Sequence, residues 1–180
     1  MAVDSESGPH GPLTNGSYSF QAIYSGDSNY QGSTSDCEPL TVNPSLNRTQ
    51  GYWKTHGTNA PGNQANVWPV SSIDIGGVTY SEDEAIAIMN TATIGNAISS
   101  LFQQLVAYKL NVLSNFSVPT AAEAAAAADA DAAIALATGG NKLLINPDGT
   151  LNYIVAPSSV LGARMIADMT ILTAFNESGI

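Results

Sequence analysis

The stretch Arg48 to His56, R-T-Q-G-Y-W-K-T-H, divides this chain of 180 residues into two parts with different hydrophobic periods. Before it lies a Gly/Ser/Thr/Tyr-rich segment in which aromatic and apolar residues alternate. After it, apolar residues recur at three- and four-residue spacing. The change of period predicts an α+β chain, a short β segment followed by a small, mainly helical domain with one or two β-hairpins. The stretch itself gathers a guanidinium, an amide, two aromatics, an ammonium and an imidazole, yet it matches no motif of known catalytic mechanics.

Composition narrows the function classes. Charged residues make up 11% of the chain, against about 25% in typical domains, so hydroxyls and amides hydrate much of the surface. Such a surface is common among secreted and cell-wall proteins. The net charge of −10, from 15 acids and 5 bases, would repel a polyanion and disfavours nucleic-acid binding. The excess is present on both sides of the dividing stretch. Residues 1–43 contain Asp4, Glu6, Asp27, Asp36 and Glu38 and no base. A single cysteine, Cys37, forms no internal disulfide and is expected as a small, half-buried strand residue. No apolar run approaches the roughly 18 to 20 residues of a membrane span. No basic-then-apolar segment follows Met1, so an exported protein is expected here as a mature form or an excised piece.

Residues 1–13 lack periodicity and are expected to form a disordered arm, with His10 as a solvated loop residue between Pro9 and Gly11. From Gly16 to Tyr24, Tyr18, Phe20, Ala22 and Tyr24 share one face of a half-buried strand. Ser25 to Asn29 has turn chemistry, preferred over a calcium loop because too few carboxylates lie nearby. Ser33 to Val42 is again extended, with Pro39 restricting it to an edge or a bulge.

G-S-Y-S-F-Q-A-I-Y-S-G-D-S-N-Y-Q-G-S-T-S-D-C-E-P-L-T-V resembles the last strands of a bacterial immunoglobulin-like repeat of surface and secreted proteins. The resemblance covers residues 14–43 and implies the closing part of a seven-stranded sandwich. Two strands without a partner sheet are marginal in water. The segment is therefore expected to dock on the helical domain, to pair with another molecule through its exposed edge, or to be the cut end of a longer polypeptide.

Residues 44–47 form a linker, and 48–180 the second domain. The dividing stretch and the Gly/Asn/Pro-rich residues up to Val70 predict an irregular, non-helical segment flanked by Trp53 and Trp68. Ile73 to Tyr80 predicts a hairpin turning at Gly76-Gly77. It leads into Ser81-Glu82-Asp83-Glu84, read as a capping box, with a metal site or acid/base pair as the alternative. Helices are expected through Met89, over 96–113 as one apolar stripe, from the Thr120 to Glu123 capping box to Gly139-Gly140, and after Ser159. The last aligns Leu161, Met165, Met169 or Asp168, Leu172 and Phe175. Asp129 and Asp131 point about 200° apart and cannot form one carboxylate pair, and at least one is expected on a solvated face. Asn146-Pro147-Asp148-Gly149 predicts a second turn, between Leu143 to Ile145 and Leu151 to Val155.

Gln50 to His56, Q-G-Y-W-K-T-H, followed by W-P-V, I-D-I-G-G-V-T-Y and a helical tail ending in L-T-A-F-N-E-S-G, is similar to a family of domains in bacterial secreted proteins, often found beside Ig-like repeats. The resemblance implies location and architecture and carries no catalytic site. The Gly57 to Asn66 stretch is longer than the corresponding loop of relatives.

Two roles compete for the signature. In one, Tyr52 and Trp53 are buried and Arg48, Gln50, Lys54, Thr55 and His56 satisfy loop backbone groups. In the other, Tyr52, Trp53 and Trp68 offer rings to a sugar or peptide while Lys54 and His56 make polar contacts. A Cys37–His56 nucleophile pair, or zinc held by two histidines and a cysteine, would need convergence from unrelated segments. The expectation is a noncatalytic structural or attachment domain of an exported bacterial cell-surface protein, without cofactor, metal, nucleic acid or membrane span. Its partners would be surface or matrix components, or another copy through the β edge. A carbohydrate- or peptide-binding module is the alternative, and an uncharacterised hydrolase a third.

Overall fold

The computed structural model describes residues 16–42, 46–59 and 65–179. The expected arm, the first half of the linker and the middle of the Gly57 to Asn66 stretch lie outside them. The chain divides into two compact units, 1–44 and 45–180.

In the first unit, β1 (Gly16–Phe20), β2 (Ile23–Gly26), β3 (Gln31–Thr34) and β4 (Glu38–Val42) form one long hairpin interrupted halfway. β1 pairs with β4 and β2 with β3, both antiparallel. Between the last pair of one ladder, Phe20 with Glu38, and the first of the other, Ile23 with Thr34, the outgoing arm has two residues and the returning arm three. That extra residue is a β-bulge. Ser35 bridges it, accepting from the Ala22 amide through Oγ and donating its own amide to the Ala22 carbonyl. The single strand expected over 16–24 is thus two, because the ladder cannot continue through the bulge. Cys37 lies in the bulge and is exposed, outside any strand, which corrects the half-buried expectation. At the hairpin's end Asp27 Oδ1 accepts from the amides of Asn29 and Tyr30, and these bonds hold its carboxyl below the ordinary carboxylate range. No residue from 17 to 40 is buried.

The second unit holds the core. It opens with a single helical turn, α1 (Gln50–Trp53), where an irregular segment was expected. A hairpin follows, β5 (Ser72–Ile75) and β6 (Val78–Ser81), turning at Gly76-Gly77 as its sequence predicts. Then come α2 (Glu82–Met89), α3 (Ala97–Leu113), α4 (Ala121–Thr138) and α5 (Val160–Glu177). Both capping boxes form, Ser81 with Glu84 and Thr120 with Glu123. Gly139 ends α4 in the left-handed conformation, φ +60°, that only glycine adopts without cost. The fold class is α+β.

α3 is the central element rather than a helix with one buried stripe. Ile98, Leu101, Phe102, Leu105, Val106 and Leu110 are all fully buried, and they point to more than one side because α2, α4, α5 and the hairpin surround them. α4 meets α5 and α3 through Ala126, Ala127, Ala130 and Ala133, whose small side chains allow close approach. On α5 the buried row is Met165, Asp168, Leu172 and Phe175, so the polar alternative at the fourth-residue step is the one that faces inward. The second hairpin contracts to one bridge, Ile145 with Leu151, since the Leu144 amide bonds to the Asn152 side chain instead of continuing a ladder.

Neither aspartate of α4 is merely solvated. Asp131 accepts from Lys109 at 2.6 Å and from the Gly76 amide at 2.8 Å, tying α4 to α3 and to the hairpin turn. Asp129 faces the other way, to Arg164 of α5.

Candidate functional site

The signature segment is built by a local rule. Thr49 has extended backbone, and its hydroxyl accepts from the Tyr52 amide, an N-cap that starts α1. One helical turn puts Tyr52 and His56 on one side, four residues apart, where their rings stack at 3.8 Å between centroids and 16° between planes. His56 Nδ1 lies 2.8 Å from the Tyr52 carbonyl oxygen. A carbonyl only accepts, so in the neutral ring the proton sits on Nδ1 and Nε2 keeps its lone pair. Both rings are half-buried. Lys54 caps the turn, its amide bonded to the Gln50 carbonyl, with its side chain also half-buried.

Trp53 points inward and is fully buried. Its indole Nε1 donates to Asn111 Oδ1 at 3.1 Å, and its ring stacks against Phe116. Trp68 is 8% exposed and donates through Nε1 to the Trp53 carbonyl at 2.9 Å. These two indoles therefore offer no open face for a sugar or peptide. The Arg48 guanidinium sits 5.3 Å from the Tyr52 ring centroid and 6.0 Å from that of Phe116. Its Nε, and Gln50 Oε1, are buried with no partner among the described residues.

Residues that no sequence pattern singled out hold this segment. Asn111, near the end of α3, accepts through Oδ1 from both the Arg48 amide and Trp53 Nε1. It donates through Nδ2 to the Arg48 carbonyl and to Asn176 Oδ1 of α5. Asn176 in turn donates to the carbonyl and side-chain oxygens of Gln104. Asn47, also buried, donates to the Phe175 carbonyl and accepts from Ser117. The only sequence signal for Asn111 was an amide inside the apolar run Leu110 to Leu113.

The loop after His56 is pinned by the acidic cluster, which does more than cap α2. Glu82 is 9% exposed and accepts from the Thr58 amide, while Asp83 accepts from Asn59 through both oxygens. Glu84 completes the capping box and is paired with Lys142, which holds its carboxyl below the usual range. Gly57 is buried at this junction, where a Cβ would fall on Ile86 Cδ1 and Glu82 Oε1.

The structure thus brings Tyr52, Trp53, Lys54, His56 and Trp68 into one segment, with two indoles inside and a Tyr52–His56 stack at its edge. Among the described residues, no group of three or more His, Cys, Asp or Glu side chains is arranged to hold a metal ion. No described helix is long and apolar enough to cross a membrane. Comparison with protein-family models, curated proteins and solved structures finds no match to this chain.

Proposed function

We propose that the chain is a noncatalytic structural or attachment module of an exported bacterial cell-surface protein, in which the signature segment closes the helical domain instead of contacting a ligand. The supporting observation is where its ring N–H donors go. Both indole N–H groups and the placed proton of His56 are spent on internal acceptors, Asn111, the Trp53 carbonyl and the Tyr52 carbonyl. A binding surface keeps such groups for its partner. The low charge density and the two sequence resemblances support the location.

A second reading, a carbohydrate- or peptide-binding module, rests on the buried and unpartnered Arg48 Nε and Gln50 Oε1 beside the half-buried Tyr52. Tryptophan fluorescence separates the two. Under the structural reading, emission is blue-shifted, weakly quenched by acrylamide, and unmoved across a panel of glycans and peptides. Saturable emission change with one of them would replace the structural reading with the binding one. The location is tested by proteolytic shaving of intact cells, which releases a surface-borne chain and leaves an internal one untouched.

A further inference from the structure

The seam between α4 and α5 contains two carboxyl groups that the signature segment does not use. Arg164 of α5 grips Asp129 of α4 with two bonds, Nε to Oδ2 at 2.8 Å and Nη2 to Oδ1 at 2.5 Å. One turn further along α5, Asp168 is 8% exposed and lies within hydrogen-bonding reach of Asp129. Its Oδ2 is buried and meets no donor among the described residues. Two ionised carboxylates can only accept, so a bond between them requires that one carry a proton. The Arg164 grip favours the ionised form of Asp129, which leaves the proton to Asp168.

The surrounding charges do not offset this. Asp129 from α4 and Arg164 from its own helix are the charged groups facing Asp168. α3, which also packs on α5, has one charged residue, Lys109, and it is engaged by Asp131 and the Asp74 carbonyl. The titratable side chain that α3 does bring to α5, Tyr108, packs on Phe175. The remaining acids of α4 are Glu123, held in its capping box, and Asp131.

We propose that Asp129 and Asp168 form a proton-operated latch: with one proton between them α4 is bonded to α5, and loss of that proton leaves two like charges in the seam and loosens it. Burial, with Asp129 adding to it, raises the Asp168 carboxyl to about 6 from an ordinary 3.8. Since the folded chain holds this proton more tightly than the unfolded one, the stabilisation is complete below the ordinary value. It declines as pH rises towards 6 and is absent above it. The carboxyls held low elsewhere, such as Glu84, act with the opposite sign, losing stability as pH falls.

Comparison of the full chain with Asp168→Asn isolates the latch, because the other carboxyls cancel and the amide can donate to Asp129 at any pH. In urea unfolding, the wild-type unfolding constant should rise by roughly 10- to 30-fold relative to Asp168→Asn between pH 4.5 and 7. The variant should be at least as stable as the wild type at pH 7. Parallel pH profiles, or a variant less stable at pH 7, would overturn the proposal. A second measurement needs no variant, the carbon-13 shift of the Asp168 carboxyl in the intact chain. A midpoint near 6 supports the latch, and one at or below about 4 removes it, even where Asp168→Asn does not fold.

Discussion

Asn111 uses both lone pairs of its oxygen and both hydrogens of its nitrogen on internal partners, and those partners belong to two segments far from it in sequence, Arg48 to Trp53 and the end of α5 at Asn176. Such a side chain is worth more than its own bonds, because truncation leaves several buried groups orphaned at once, at about 1 to 3 kcal/mol each. Asn111→Ala is therefore expected to destabilise the second unit by about 3 kcal/mol or more in urea unfolding, with Trp53 emission shifting red as its indole loses its acceptor. Trp53→Phe, which removes the donor but keeps an aromatic ring, should cost less and should diminish the effect of Asn111→Ala when the two are combined. Gly57 makes the contrasting case, a residue important for what it lacks. With Ile86 Cδ1 and Glu82 Oε1 already occupying the place of a side chain, Gly57→Ala must displace both side-chain ends, and with them the Glu82 bond to Thr58, or push α2 outward. Overpacking of this kind costs about 1 to 3 kcal/mol, measurable as a lower denaturation midpoint, and a neutral result would show that the loop yields freely.

At the scale of elements, what could be read from sequence was whatever a few adjacent residues decide. The two capping boxes, the Gly76-Gly77 turn and the Gly139 stop each depend on chemistry within about four positions, and each forms where its residues predict. Removing one cap should cost a cap's worth and no more. Thr120→Ala is expected to lower stability by about 1 kcal/mol, and Thr120→Asn to restore most of it, as judged by thermal unfolding. Expectations failed where a distant neighbour decides. The apolar spacing of α3 read as one stripe, but with helices on several sides Ser99 and Gln103 are also buried, each with a partner around Thr91. The alternation of residues 16–24 promised one strand, and a bulge contributed by Ser35 to Cys37 on the return arm divided it. α1 was missed because a four-residue turn is too short to show a period, although Thr49 in front of it is an ordinary N-cap.

For the molecule as a whole, the dividing stretch is where the core begins. Among the described residues, every buried one belongs to the second unit, from Asn47 to Asn176, and the amides of Asn47, Asn111 and Asn176 connect the start of that unit to its last helix. This closure was not legible beforehand: an asparagine in a linker, one within an apolar helix and one before a terminal glycine share no pattern, and only the packing of α3 on α5 unites them. The location of the candidate segment was legible, because aromatics and polar groups so close together are unusual. Its orientation was not, because inward and outward tryptophans have the same sequence. It follows that residues 45–180, which carry every buried apolar side chain among the described residues together with this closure, should fold when expressed alone and unfold in one cooperative transition. No residue from 17 to 40 is buried, and two-stranded ribbons are marginal in isolation. The excised first unit should therefore show fast amide exchange and no cooperative melt. Backbone amide exchange on the two separate pieces checks both statements, and a 45–180 fragment lacking slow-exchanging α3 amides would show that the core needs more of the chain than the second unit supplies.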